Sequence, residues 1–217
     1  MKRILMIAAG VVVSGLALGC TNNGQGDTNS PSKGSGSYGA AVTGAQTPNY
    51  TVEAAEAGKE AVAQIHGAGD TREKIHGTAK FIPVAGGVKV VVDVDGLAPG
   101  MHGIHIHEKA DLSDPKLTSA GGHFNPGGTE HKHSGPDDMK RHAGDLGNID
   151  VNDKGHGHLD LTTDALAIEG ANGVVGHSII IHEKEDDYKT QQPPGNAGGR
   201  VAGGAIVLAT DGQKAEK

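Results

Sequence analysis

The chain has 217 residues, 36 of them glycine, with no tryptophan, 2% aromatic residues and a formal net charge of −7. So acidic a surface argues against binding to nucleic-acid phosphates. The single cysteine, Cys20, excludes an intrachain disulfide, a thiolate zinc site and a cysteine-based copper-transfer motif in the folded part.

Residues 1–19 read as an export leader. Lys2 and Arg3 precede an apolar run from Ile4 to Leu18, which is too short for a comfortable membrane span. The run ends at Leu16-Ala17-Leu18-Gly19-Cys20, which resembles a bacterial lipoprotein box with its first Leu displaced by one position. The resemblance implies a diacylglycerol on Cys20 and a mature protein anchored to a membrane of the bacterial cell envelope. Removing the leader deletes Lys2 and Arg3 and leaves 17 basic against 26 acidic side chains. Residues 20–50, rich in Gly, Ser, Asn and Thr, bury no core and read as a flexible tether.

The folded domain is expected over 51–210, followed by a polar tail at 211–217. Residues 53–63 admit a short helix as an alternative to extended chain. Strand signals then follow at 61–66, 74–83 and 88–94, with a turn at Ala98-Pro99-Gly100 and a further strand at 102–107. A long irregular segment, 108–144, comes next. Residues 146–151 and 156–161 form a hairpin around Asn152-Asp153-Lys154-Gly155. A strand at 178–182, a second long loop at 183–200 and a last strand at 204–209 complete the chain. About eight short strands and two long loops predict an all-β antiparallel barrel or sandwich, and loops of that length are usually functional.

The chemistry is concentrated in those loops and at their edges. His105, His107, His123, His131, His133, His142 and Asp145 fall within about forty residues, and His182 follows. Imidazole with one carboxylate and no thiolate suits copper or zinc. In a strand, residues two apart share a face, so His105 and His107 can reach one ion while Ile106 enters the core. Taken alone, His-x-His is as often a pair of exposed strand histidines, and His182 at the end of Ile179-Ile180-Ile181 would usually be incidental. His66, His76, His102, His156, His158 and His177 read as surface or hydrogen-bonded histidines. His156-Gly157-His158 repeats the His-x-His pattern without partners nearby in sequence.

The order and spacing of these residues resemble the copper/zinc superoxide dismutase family, in its bacterial exported form. The resemblance runs from Gly103-Ile104-His105-Ile106-His107-Glu108 through His123-Phe124-Asn125-Pro126 and His133-Ser134-Gly135-Pro136. It continues in Arg141-His142-Ala143-Gly144-Asp145-Leu146-Gly147-Asn148, His182-Glu183-Lys184-Glu185-Asp186-Asp187 and Gly195-Asn196-Ala197-Gly198-Gly199-Arg200. It covers roughly 59–210 and implies an eight-stranded antiparallel Greek-key β-barrel. It also implies copper on His105, His107, His123 and His182, and zinc on His123, His133, His142 and Asp145. His123 would bridge the two metals. Asp186 would orient one histidine of each set, and Arg200, with neighbours such as Lys184 or Lys189, would draw in the superoxide anion. The implied activity is dismutation of superoxide to oxygen and hydrogen peroxide. The alternative is a non-catalytic copper- and zinc-binding lipoprotein of the same fold. A homodimer stays open, because no exposed apolar patch is legible.

Two departures from the family pattern stand out. The positions that most members join by a disulfide hold Leu117 and Gly203 here, which puts the rigidity of the loop and the placement of Arg200 in question. The usual eight-residue step from the bridging histidine leads to His131, whereas the Ser-Gly-Pro context and the nine-residue step to His142 lead to His133. The reading takes His133.

Overall fold

The computed structural model describes residues 58–128 and 132–214. The leader, Cys20, the tether, residues 51–57, His131 and residues 215–217 lie outside the described residues. Eight strands are formed: β1 (Ala61–Gly67), β2 (His76–Val84), β3 (Gly87–Asp95), β4 (Gly100–His107), β5 (Asp145–Val151), β6 (His156–Thr163), β7 (Ser178–His182) and β8 (Arg200–Leu208). They close into an antiparallel barrel in the order β1-β2-β3-β6-β5-β4-β7-β8. Strand β3 pairs with β6, while β4 lies between β5 and β7. This out-of-sequence neighbouring is the Greek-key crossover.

Alternation drives the strands. In β3, Val88, Val90, Val92 and Val94 are buried inside the barrel, and Asp93 and Asp95 face out. Each such valine stabilises the fold by about 1.5–3 kcal/mol relative to an exposed one. Opposite them, Ala79 and Phe81 of β2 join the same core. The β2–β3 turn is only Ala85-Gly86, because Val84 already pairs with Gly87, and Gly86 supplies the positive φ that so tight a reversal needs.

Strands β4 and β7 break the alternation, and that break positions the site. Ile104 and Ile106 of β4 and Ile179 and Ile181 of β7 enter the main core. The opposite face carries His105, His107, Ile180 and His182, and these are buried as well. Residues 108–128 and 132–144 fold back over that outer face. Phe124 N–H donates to the Ile106 carbonyl (2.8 Å), and Ile106 N–H donates to the Gly144 carbonyl (2.9 Å). A Cβ on Gly144 would sit 2.3 Å from the Ile106 carbonyl oxygen, so glycine is what allows this close approach.

Most strand limits differ from the sequence-based expectation by one or two residues, and two starts differ for a clear physical reason. Strand β2 starts at His76, not 74, because Lys74 and Ile75 N–H groups both donate to the Thr71 carbonyl in a helical turn. Strand β8 starts at Arg200, not 204, and the second long loop is correspondingly 183–199. The β7–β8 ladder continues through Ile181–Ala202 to His182–Arg200 across a bulge. The paired glycines Gly203 and Gly204 obscured it. They are close-approach positions within the strand: a Cβ on Gly204 would lie 2.4 Å from the Gln64 carbonyl oxygen.

Candidate metal centre

His105, His107, His123 and His182 each present a ring nitrogen to a common point, the four atoms lying within 4.8 Å of one another. Strand β4 supplies the first two, the end of β7 supplies His182, and a one-residue bridge between His123 and His107 draws the loop histidine in. The outer nitrogens are held from behind. His107 Nδ1 donates to the Gly121 carbonyl (3.0 Å), His182 Nδ1 to the Gly198 carbonyl (3.4 Å), and His105 Nε2 to Asp186 Oδ2 (2.5 Å). Each ring is thereby fixed in orientation, with its other nitrogen facing inward. His107 Nε2 and His182 Nε2 stand 3.4 Å apart, and the His105 and His123 ring centroids 4.0 Å apart.

A second group, His123, His133, His142 and Asp145, meets the same 4.8 Å limit. Asp145, the first residue of β5, reaches all three rings. Its Oδ1 lies 2.7 Å from His123 Nδ1 and 3.1 Å from His133 Nδ1, and its Oδ2 lies 3.5 Å from His142 Nδ1. His123 thus belongs to both groups, with its Nδ1 turned to Asp145.

Asp186 joins the two. Its Oδ2 accepts from His105 and its Oδ1 from His133 Nε2 (2.9 Å). Tyr188 N–H donates to Oδ1 (2.7 Å), and the Asn148 side chain clasps the Asp186 backbone through both its N–H and its carbonyl. Gly195 packs so near that a Cβ there would be 2.5 Å from the carboxylate.

The donor set suits two cations. The Nδ1 atoms of His105, His133 and His142 are buried and make no hydrogen bond. Buried ring nitrogens left without a hydrogen bond, one in the first group and two in the second, are costly unless another group engages them, as a bound ion would. Burial, reinforced by repulsion from neighbouring imidazoles, holds His107 well below the usual imidazole range, and it lowers His123 to about 4 and His182 to about 3. These rings are neutral at pH 7, as metal ligands must be. Burial acts on His133 too, but the Asp145 and Asp186 carboxylates outweigh it and raise the ring to about 9. Burial would raise both aspartates. The His123 hydrogen bond and the adjoining His133 and His142 rings hold Asp145, and hydrogen bonds from His105 and His133 hold Asp186, below the carboxylate range instead.

Arg200 is fixed by two main-chain oxygens. Its Nη1 donates to the Leu117 carbonyl and its Nη2 to the Gly121 carbonyl, both at 2.6 Å. It lines an open depression of about 440 Å³ together with Pro115, Lys116, Thr118 and Gly199. The two positions without cysteine are adjacent. The Leu117 side chain is buried with Ala120 and Ile180, and a Cβ on Gly203 would meet Ile180 Cδ1 at 2.7 Å and Leu117 Cδ1 at 3.3 Å. An apolar plug occupies this junction.

The described residues therefore bring together His105, His107, His123, His133, His142, His182, Asp145 and Asp186, with Arg200 beside His107 and His182. Sequence reasoning overlooked several supporting groups: Asn148 behind Asp186, Gln191 against the His133 backbone, and Lys116 as the lysine sharing the depression with Arg200. Asn148 lay inside a quoted motif and was discoverable there. Gln191 and Lys116 had no signal, since only the folding of the loops gives them neighbours. His102, read as a surface or hydrogen-bonded histidine, is buried, with its ring nitrogens facing the Ala98 and His182 carbonyls.

Comparison with known proteins agrees with this geometry. The superoxide dismutase of Deinococcus radiodurans, described as a Cu-Zn enzyme, is 42% identical over 141 residues, which span 60% of this chain and 76% of that protein. The crystal structure of the clock protein EA4 superposes with a TM-score of 0.62 at 40% identity, over 69% of this chain and 94% of that one. The family described as copper/zinc superoxide dismutase matches residues 75–206, which run from the turn before β2 into β8 and include both histidine groups. With barrel, paired groups and sequence in agreement, this chain belongs to the copper/zinc superoxide dismutase family.

Proposed function

We propose that this protein dismutates superoxide at a centre in which His105, His107, His123 and His182 hold copper and His123, His133, His142 and Asp145 hold zinc. The observation that carries this reading is His123, the one residue among the described ones that belongs to both groups. Copper supplies one-electron redox chemistry that no side chain of this protein offers, and zinc supplies fixed positive charge.

The protein's own residues do the rest. Two superoxide anions and two protons give one oxygen and one hydrogen peroxide. Arg200 binds the anion. Its guanidinium is the fixed cation beside the copper histidines, and its two carbonyl contacts keep it aimed. An acidic protein repels an anion at long range, so this local charge has to focus the substrate. Such steering, of which superoxide dismutases are themselves a standard case, changes association rates by about 10–1000-fold. His123 Nε2 is the position from which a proton reaches the reduced substrate. With His123 Nδ1 turned to Asp145 and the zinc group, the other ring nitrogen is the one left for that proton. Asp186 holds one histidine of each group in the tautomer that ligation needs.

The anchoring of the protein belongs to the same reading. Lys2, Arg3, the apolar run and Cys20 support export and lipidation, with a long Gly- and Ser-rich stretch before the barrel. A protein so tethered would remove superoxide at the face of the envelope.

The test is dismutation by the purified protein reconstituted with one copper and one zinc, beside a His123→Ala variant. Fast turnover abolished in the variant supports the reading. Stoichiometric metal binding without turnover would replace it with a metal-holding lipoprotein.

A further inference from the structure

Strands β3 and β6 carry a second set of histidines and carboxylates that dismutation does not use. His156-Gly157-His158 on β6 has the same two-residue spacing as His105-Ile106-His107 on β4. The fold supplies the partners that the sequence lacked. Asp95 is the cross-strand partner of His156, and Asp93 that of His158. All four side chains lie on the outer surface of the barrel, since Val94 between the aspartates and Gly157 between the histidines face the interior.

The hydrogen bonding is the same in both pairs. His158 Nδ1 donates to Asp93 Oδ1 at 2.7 Å, and His156 Nδ1 donates to Asp95 Oδ1 at 3.0 Å. The rings are about half exposed, at 52% and 43%. With Nδ1 engaged, each Nε2 is left as the acceptor nitrogen, and it has no protein partner among the described residues. A carboxylate on one nitrogen of a histidine fixes the ring and raises the basicity of the other, as it does for metal-bound histidines generally. Residues two apart on a strand share a face with Cα atoms roughly 6.6 Å apart. On β4 that spacing places ring centroids 6.3 Å apart, within a group that meets at one point.

The surroundings are also ligand-rich. Asp95 is flanked on its other side by His76, which pairs in turn with His66, and His158 is flanked by Asp150. As plain surface ion pairs, two His–Asp contacts would contribute little, about 0–1 kcal/mol each. Two outward imidazoles, each backed by an aspartate on the adjoining strand, are a donor set of the kind that selects Cu(II), Ni(II) or Zn(II) over the hard cations.

We propose that His156 and His158, oriented by Asp95 and Asp93, form an exterior binding site for a divalent transition-metal ion, separate from the centre that contains His123. On binding, the two rings turn toward a shared ion through Nε2 while each Nδ1 keeps its carboxylate.

The experiment uses protein already loaded with one copper and one zinc, titrated with Ni(II) and followed by equilibrium dialysis and calorimetry. The expected result is one further ion per chain at micromolar affinity. It is lost in the His156→Ala/His158→Ala variant, whose dismutase activity and melting temperature match the parent. The Asp93→Asn/Asp95→Asn variant should bind about 10–100-fold more weakly. Three results would overturn the proposal: no third ion bound below millimolar Ni(II), binding undiminished in the double-histidine variant, or binding lost only in a His66→Ala/His76→Ala variant. Unchanged affinity in the double-asparagine variant would overturn the orienting role of the aspartates.

Discussion

Arg200 Nη1 and the Leu117 carbonyl oxygen are 2.6 Å apart, and this contact ties the first residue of β8 to the loop that covers the metal centre. Leu117 adopts a left-handed backbone conformation, φ 58°, which aims its carbonyl at the guanidinium while its side chain enters the apolar plug with Ala120 and Ile180. A non-glycine residue in that conformation costs about 1–2 kcal/mol. The burial of Leu117 offsets it. Most relatives hold this junction with a covalent bond, and here packing and one charged hydrogen bond hold it.

Leu117→Ala should therefore destabilise the protein by about 2–5 kcal/mol, the usual range for a buried leucine. Denaturant unfolding of the chelated protein measures it most directly. Leu117→Gly should lose slightly less, because glycine removes the backbone cost along with the side chain. A loss under 1 kcal/mol for alanine would mean that the plug does not brace the loop.

Arg200→Ala should lower kcat/KM by at least about 10-fold while copper and zinc contents stay at the parent level. Arg200→Lys should recover only part of the loss, since an ammonium restores the charge but not the planar two-carbonyl clasp. Stopped-flow rates at several ionic strengths separate the two effects. The alanine variant should show a weaker salt dependence.

Asp186→Asn removes a carboxylate that accepts hydrogen bonds from His105 and His133. An amide can accept one such bond but presents N–H to the other ring. Metal affinity should fall by about 10–100-fold, read by competition with a chromogenic chelator. Parent affinity in this variant would show that Asp186 does not orient the ligands.

Chelation should lower the melting temperature markedly. The ions bind only the folded centre, so at 1000-fold excess over the dissociation constant each adds about 4 kcal/mol. Calorimetry before and after metal removal tests this, and equal melting temperatures would refute it.

The metal-free form should be most stable near neutrality. His123 and His182 titrate near 4 and 3 when folded, below the unfolded value of about 6.5. Their share of stability is present above about 6.5 and is lost as pH falls through those values. His133 is raised to about 9, so its share is complete below about 6.5 and is lost as pH rises through about 9. Unfolding midpoints of chelated protein at acid, neutral and alkaline pH should trace that dome.

Much of this was readable beforehand, and the reasons are local. The alternating valines of β3 and the spacing of His105, His107, His123 and His142 are patterns within short stretches of chain. Whatever depended on long-range pairing was not readable. The start of β8 is set by β7, not by its own glycines. Only the family resemblance set Leu117 beside Gly203, 86 residues away, as the positions most members join by a disulfide; nothing in the two residues themselves foretold the apolar plug. His156 and His158 looked unaccompanied because Asp93 and Asp95 lie more than sixty residues earlier, and only the β3–β6 ladder makes them neighbours.

The closure of the barrel bears on the order of assembly. Strand β8 returns to β1, so every strand has a neighbour on both sides and no free edge is offered to another chain. The residues proposed to hold the metals sit outside that ring, on its outer face and in the loops laid over it. Stripping the ions therefore loosens a covering and leaves the cylinder closed. A chain whose barrel has closed thus offers no strand edge to a neighbour while its ions are still to be acquired.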